Sequence, residues 1–215
     1  MMKKGLFITF EGPDGSGKST QIQKLAHYLE ENDISYVLTR EPGGTRISDL
    51  IRGILLNPEH QEMKNNTEVL LYAASRAQHI EEKIKPALAA GKIVLCDRFV
   101  DASIAYQGYG LGIDLEMIQQ INQFAIQNIM PNRTYLFDIS PEEGRKRMMN
   151  RLGEQVTNLD RIEQKTIDYH VRVRKGFEEI ANQEPHRITR VDGSKSIDTI
   201  AKQIRDDFNQ LIKSE

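Results

Sequence analysis

Lys18 and Ser19 close the stretch Gly12-Pro13-Asp14-Gly15-Ser16-Gly17-Lys18-Ser19, which fills every fixed position of the phosphate-binding pattern G-x-x-x-x-G-K-[ST]. Gly12, Gly15 and Gly17 let the backbone turn with positive φ and bring its N–H groups up to an anion. Lys18 supplies a full charge for β- and γ-phosphates, and the Ser19 hydroxyl suits Mg²⁺. A helix starting here adds partial positive charge at its N-terminus. A glycine-rich turn that merely precedes a helix is the plainer alternative. The complete motif, set between an apolar run and an amphipathic pattern, speaks against it.

Other residues could complete a phosphate-transfer site. Asp97 ends the apolar run Ile93–Cys96, where a carboxylate can hold Mg²⁺ with the loop hydroxyl or simply cap the next helix. Asp14 puts negative charge beside bound phosphates. That makes sense if it faces a cation or an acceptor hydroxyl; otherwise it is a turn residue chosen for local hydrogen bonds. Arg40, Arg52, Arg76 and Arg98 sit near apolar elements rather than in charge runs, and arginine suits bidentate phosphate contacts. Singly, each reads as a solvated or structural arginine; together they suggest a second phosphate site beside a triphosphate. Tyr72 and Arg76 share a helix face, as do Ser103, Tyr106 and Gln107, and such groups suit a nucleobase. On spacing alone ordinary packing explains them better. Arg145, Lys146, Arg147 and Arg151, then Arg161, read equally as a solvated basic helix or as a lid at about 142–163 closing over phosphates. The five histidines show no metal-ligand spacing.

The elements that must position these groups alternate along the chain. Strands are expected at Leu6–Phe10, Ser35–Thr39, Ile93–Cys96, Thr134–Phe137 and Arg187–Val191. Helices are expected after the loop, over Arg46–Leu56, from a Thr67 cap to Gly91 with Pro86 as a possible kink, after caps at Asp114 and Ser140, from about Arg161 to Asn182, and over Ile197–Ile212. Gly108 to Gly112 reads as a glycine-rich loop. The alternation implies an α/β fold of three layers, a doubly wound, five-stranded, mostly parallel sheet flanked by helices, in one domain over 1–215. Ligands in such sheets lie beyond the carboxyl ends of the strands, so Asp14, Arg40-Glu41, Asp97-Arg98 and Asp138 should converge on one crevice.

Composition narrows the classes. The 215 residues carry a net charge of −2, which gives no global pull towards nucleic acid or anionic membrane. Cys96 is the single cysteine, which points to a reducing compartment, and no apolar stretch is long enough to span a bilayer, so the cytoplasm is the expected location. A guanine-reading Asn-Lys-x-Asp segment, expected of a nucleotide switch, is absent, and no basic aromatic-rich face marks a nucleic-acid-dependent ATPase.

Taken together, the Phe10–Thr20 segment, Thr39-Arg40-Glu41-Pro42-Gly43-Gly44, Ala73-Ala74-Ser75-Arg76, Asp97-Arg98-Phe99 and Ala105-Tyr106-Gln107-Gly108 resemble bacterial thymidylate kinases over essentially the whole chain. The resemblance implies transfer of the γ-phosphate of ATP to dTMP, with Mg²⁺ as cofactor, ATP and dTMP as partners and a homodimer as assembly. Another (deoxy)nucleoside or nucleoside monophosphate kinase is the alternative to this resemblance. It places ATP on Gly12, Pro13, Asp14, Gly15, Ser16, Gly17, Lys18, Ser19 and Thr20, and the metal at Ser19 and Asp97. It places dTMP on Asp14, Arg40, Glu41, Pro42, Arg52, Tyr72, Arg76, Arg98, Ser103, Tyr106 and Gln107. In this picture Asp14 faces the sugar 3′-hydroxyl or the metal-bound water near it, Arg40 and Arg98 neighbour the acceptor phosphate and Arg52 points towards the acceptor. Tyr72 stacks on thymine, Arg76 reaches a base carbonyl, Ser103 and Gln107 read the base edge, and Tyr106 crowds a ribose 2′-hydroxyl. Lys18, Asp14, Arg98 and Arg151 would carry catalysis. The phosphate loop holds no arginine, so the lid must supply one: Arg151, with Arg147 and Arg161 as alternates. Two departures stand out. The segment between Arg151 and Leu159-Asp160-Arg161-Ile162-Glu163 is longer than usual, and Phe99 stands where tyrosine is commoner.

Overall fold

A computed structural model describes residues 5–153 and 159–214; the side chains of Arg151, Leu152 and Ser214 fall outside the description. Strands Phe7–Glu11 (β1), Tyr36–Arg40 (β2), Ile93–Asp97 (β3), Arg133–Asp138 (β4) and Ile188–Asp192 (β5) form one sheet in the order β2-β3-β1-β4-β5. Every pairing is parallel. β1 and β3 are apolar runs buried almost throughout, and only a sheet covered on both faces accommodates such strands.

Helices α1 (Lys18–Glu31) and α9 (Ile197–Ser214) cover one face, where Ile22, Leu25, Leu29, Ile204 and Phe208 meet Phe10, Tyr135 and Phe137. The other face packs in two parts. Ile80, Ile84 and Ile126 cover Phe7, Val94 and Cys96; Tyr169, Val173 and Phe177 cover Leu136 and Ile188. Helices α2 (Arg46–Leu56), α3 (Asn65–His79), α4 (Lys85–Ala89), α5 (Val100–Ser103), α6 (Leu115–Ile126), α7 (Pro141–Leu152) and α8 (Ile167–Gln183) complete the described elements. β1 lies between β3 and β4, so the strand order reverses there and a crevice opens at its carboxyl end.

Four local expectations are corrected. Thr67 lies inside α3, which starts at Asn65 after Lys64 with no side-chain cap. The long helix then passes through a π-helical turn, Ile80–Ile84, before α4. The wider turn comes just before Pro86, which has no N–H to continue the i→i−4 ladder. Ile104–Gly110 is also π-helical rather than a loop from Gly108. Its glycines serve close approach: a Cβ on Gly110 would fall 2.6 Å from the Tyr169 ring, and one on Gly176 2.8 Å from Tyr109. Finally, α8 begins at Ile167 after a Thr166 cap, not near Arg161. The Asp160 carboxylate accepts from Ile162 and Glu163 N–H, each at 2.8 Å, and so folds this stretch into a turn of its own.

Asp138 also departs from the expected convergence. Arg174 holds its carboxylate at 2.8 and 3.2 Å, and it lines neither of the cavities that make up the site. Only the ends of β1, β2 and β3 meet at the crevice: Glu41 N–H donates to Asp97 O and Arg98 N–H to Phe10 O.

Candidate active site

The phosphate loop is built on backbone that only glycine adopts freely. Gly12, Gly15 and Gly17 have φ of 128°, 76° and 99°. A Cβ at Gly12 would also lie 2.3 Å from the Phe137 carbonyl oxygen, so the loop packs directly on β4. Lys18 Nζ donates to Gly12 O at 3.0 Å and Pro13 O at 2.9 Å, bracing the turn from inside. Burial, helped by nearby Arg98, pushes its ammonium down to about 8. A cavity of about 290 Å³ opens here, lined by Asp14 to Thr20 and by Arg40, Asp97 and Arg147. Gly12 and Pro13 contribute through the carbonyls that hold Lys18.

At its base Ser19 Oγ donates to Asp97 Oδ2 at 3.3 Å, while Asp97 Oδ1 is buried with no hydrogen-bond partner among the described residues. A hydroxyl and a carboxylate with a spare lone pair suit Mg²⁺, which keeps most of its shell for waters and phosphate oxygens. Among the described residues no group of three or more His, Cys, Asp or Glu gathers elsewhere to hold a metal.

A second cavity, of about 100 Å³, adjoins the first. Asp14, Glu41, Arg52 and Arg98 line both. Arg98 takes a positive φ of 69° and reaches back, donating to Gly12 O and to Asp14 Oδ1, each at 2.8 Å. Its guanidinium carbon lies 5.0 Å from the centre of the Tyr106 ring. Burial alone would push the Asp14 carboxyl up, but Arg98 and Lys18 outweigh it and hold it down to about 2. Arg52 donates to Pro42 O at 2.9 Å, and burial together with Arg40 lowers its pKa. Arg40 is exposed and pairs with Asp49 at 3.0 Å.

The deep end of the second cavity holds Tyr72, Arg76, Ser103, Tyr106 and Gln107. Arg76 is 2 % exposed and donates to Glu41 Oε2 at 2.7 Å, Ser103 Oγ at 2.9 Å, Asn122 Oδ1 and Phe99 O at 3.1 Å. Those bonds use four of its five N–H groups and leave one for a ligand. Glu41 is also met by His79 Nδ1 at 3.0 Å, and His79 Nε2 lies 2.7 Å from Thr39 Oγ1. Phe99 packs edge-on against Phe7 with centroids 4.8 Å apart, so its ring belongs to the core.

Comparison with known proteins agrees with this geometry. The family model described as thymidylate kinase matches residues 10–204. The chain is 54% identical to a thymidylate kinase of Exiguobacterium sibiricum over 97% of its length and 96% of the relative's. It is 49% identical to one of Bacillus licheniformis over 97% of each. A crystal structure of thymidylate kinase from Ehrlichia chaffeensis superposes with a TM-score of 0.76 at 37% identity, covering 96% of this chain and 99% of that one.

The chain belongs to the thymidylate kinase family. It is thus a phosphotransferase on a phosphate-loop fold, and the nucleotide-switch and nucleic-acid ATPase readings fall away. Within this kinase the lid arginines separate. Arg147 lines the phosphate cavity and donates to Gly193 O at 2.8 Å. Arg151 lies four residues on in α7, with its side chain outside the described residues. Arg161 is no lid finger: it is 3 % exposed, donating to Glu68 Oε2 at 2.7 Å and Leu55 O at 2.9 Å.

Several residues of the kinase site carried no sequence signal of their own. Glu68 and Asn122 are reached only through tertiary contacts, and His79 became a structural histidine by packing against Glu41. Glu11 is another. Its Oε1 accepts from Phe99 N–H at 2.6 Å and so shapes the turn that presents Arg98. Desolvation and the charge of Asp101 push its carboxyl up to about 8, against the pull of Arg98 and Lys18. From pH 4.5 to 8 the folded chain therefore keeps a proton that the unfolded chain has released, and raising pH favours unfolding. Glu11→Gln keeps the acceptor for Phe99 and cannot ionise. Urea titrations are expected to show it gaining on the parent chain, on the order of 3 kcal/mol, between pH 5 and pH 8; equal pH slopes would refute the assignment.

Proposed function

We propose that this chain transfers the γ-phosphate of ATP to dTMP, giving ADP and dTDP, with ATP in the phosphate-loop cavity and dTMP in the adjoining one. The observation that carries this is the common wall: Asp14, Glu41, Arg52 and Arg98 border both cavities, so two anions can meet across guanidinium groups. A phosphate monoester has a second pKa of about 6, so the acceptor oxygen is already anionic and needs no strong general base. The barrier is charge repulsion and alignment. Lys18 and the loop N–H groups hold the donor phosphates, with Gly12, Pro13, Gly15, Ser16, Gly17 and Thr20 completing the cradle. Mg²⁺, beside Ser19 and Asp97, would supply further positive charge to those phosphates.

On the acceptor side Arg40, Arg52 and Arg98 face the monophosphate and Asp14 the sugar 3′-hydroxyl. Tyr72 stacks on the base, the remaining N–H of Arg76 reaches its carbonyl, and Ser103 and Gln107 meet its edge. Glu41 and Pro42 position this wall, and Tyr106 excludes a ribose 2′-hydroxyl. Residues at about 142–163, of which 154–158 lie outside the described residues, act as the lid, with Arg151 as the arginine that stabilises the transferring phosphoryl group and Arg147 as a donor-side contact. A panel of nucleoside monophosphates with ATP, with and without nucleic acid, tests the assignment. dTMP is expected to be the strongly preferred acceptor with no stimulation by nucleic acid; preference for another monophosphate would displace it.

Assembly and location belong to the same reading. Ile47, Leu50 and Ile54 on α2, Leu70 on α3 and Phe124 on α6 are exposed, and these helices pack side by side. Such an apolar surface supports a homodimer through these faces. The reduced, buried Cys96 supports a cytoplasmic location; among the described residues no helix is long and apolar enough to cross a membrane. Arg151→Ala is expected to lower kcat by about 10³ with KM for dTMP little changed; normal turnover would move the finger role to Arg147. Light scattering is expected to give the mass of a dimer for the parent chain and of a monomer for Phe124→Glu, and a monomeric parent chain would end the dimer assignment.

A further inference from the structure

Gln107 and Arg161 lie far apart in sequence yet share one buried carboxylate. Glu68, in the first turn of α3, is 1 % exposed. Its Oε1 accepts from Gln107 Nε2 at 2.9 Å and its Oε2 from Arg161 Nη2 at 2.7 Å. Arg161 is fixed a second time by its backbone, whose N–H donates to Leu56 O at 3.1 Å. Its neighbours Asp160 and Ile162 line the acceptor cavity, as does Gln107.

A carboxylate facing a guanidinium offers lone pairs and no proton. The Gln107 amide must therefore turn its nitrogen towards Glu68, which fixes which end of the amide is left over. Among the described residues no group donates to Gln107 Oε1, and Gln107 borders the cavity. An acceptor held there complements a base with an N–H at ring position 3 and opposes one with a lone pair at that position. Burial makes such a mismatch costly, because an unpaired polar group has no water to turn to.

We propose that Glu68 is the specificity-determining positioning residue of the acceptor site: it locks the Gln107 amide with Oε1 presented to the base, and through Arg161 it seats the root of the lid against the same cavity. This rests on the acceptor assignment above and adds the group that fixes the base-reading amide, Glu68. Arg76 bonds to Glu41, Ser103, Asn122 and Phe99 and shares no partner with Glu68, so its reading of the base survives a change at Glu68.

The experiment compares kcat/KM for dTMP and 5-methyl-dCMP, which differ only at ring positions 3 and 4, in the parent chain and in Glu68→Gln. The glutamine amide can offer either a donor or an acceptor to Gln107, so the lock is lost. The dTMP preference is expected to fall about tenfold, the worth of one buried hydrogen bond, mostly through KM. An unchanged ratio in a folded variant overturns the proposal while leaving dTMP as the substrate. A parent chain that does not phosphorylate dTMP sinks the acceptor assignment itself. Should the variant fail to fold, the parent chain still decides. The side-chain NH₂ resonances of Gln107, assigned by their loss in Gln107→Leu, are expected to stay slow to exchange and nearly unshifted on dTMP saturation. A large shift, marking the N–H turned to the base, overturns the lock.

Discussion

The contact of Arg98 with the phosphate loop is the constraint on which the two halves of the site depend. One guanidinium donates to the Gly12 carbonyl and to Asp14, and it lies over the Tyr106 ring. It therefore ties the phosphate loop to the wall of the adjoining cavity. Two phosphate-bearing molecules repel, and a protein that joins them must place positive charge between them before they arrive. A half-buried arginine already bonded to the loop stands there in advance. Its positive φ of 69° turns the side chain back towards the loop instead of onward along the chain. Glu11 stabilises that turn by accepting from the next residue's N–H.

Behind this contact lie two further buried nodes, each a carboxylate serving two cationic or amide partners. Glu41 receives Arg76 and His79; Glu68 receives Arg161 and Gln107. Neither carboxylate is exposed by more than 5 %. Breaking such a pair leaves a buried charge, so these nodes specify one arrangement more than they add net stability. Both stand next to the smaller cavity, Glu41 directly and Glu68 through Gln107. This polar framing adjoins the glycine-built loop that Lys18 braces from inside.

Much of this was legible in the chain, because local rules govern it. The glycine-rich loop, the buried strands and the caps at Asp114 and Ser140 follow from residue type and spacing over a few positions. The departures have a shared cause. Thr67 looked like a cap but lies inside α3, which starts two residues earlier at Asn65 with no side-chain cap. The Gly108–Gly110 stretch looked like a loop, yet its glycines serve contact with α8. Arg161 looked like a basic group free to face phosphates and is instead buried against Glu68 and the Leu55 carbonyl. Asp138 ends a strand like Asp97 but meets Arg174 from α8.

By itself the sequence determined the order of strands and helices, the anion cradle at Gly12–Ser19 and the family, since each rests on neighbours in the chain or on motifs met in order. Only the tertiary structure decided which charges face which. Arginines have the same character wherever they stand in the sequence. Arg98 becomes a tie between the phosphate loop and the Tyr106 wall, Arg76 the centre of a carboxylate frame and Arg161 an anchor, solely because folding brings each to a different partner across tens of residues. Electrostatic roles are set by distance and desolvation, and neither is a property of the one-dimensional chain.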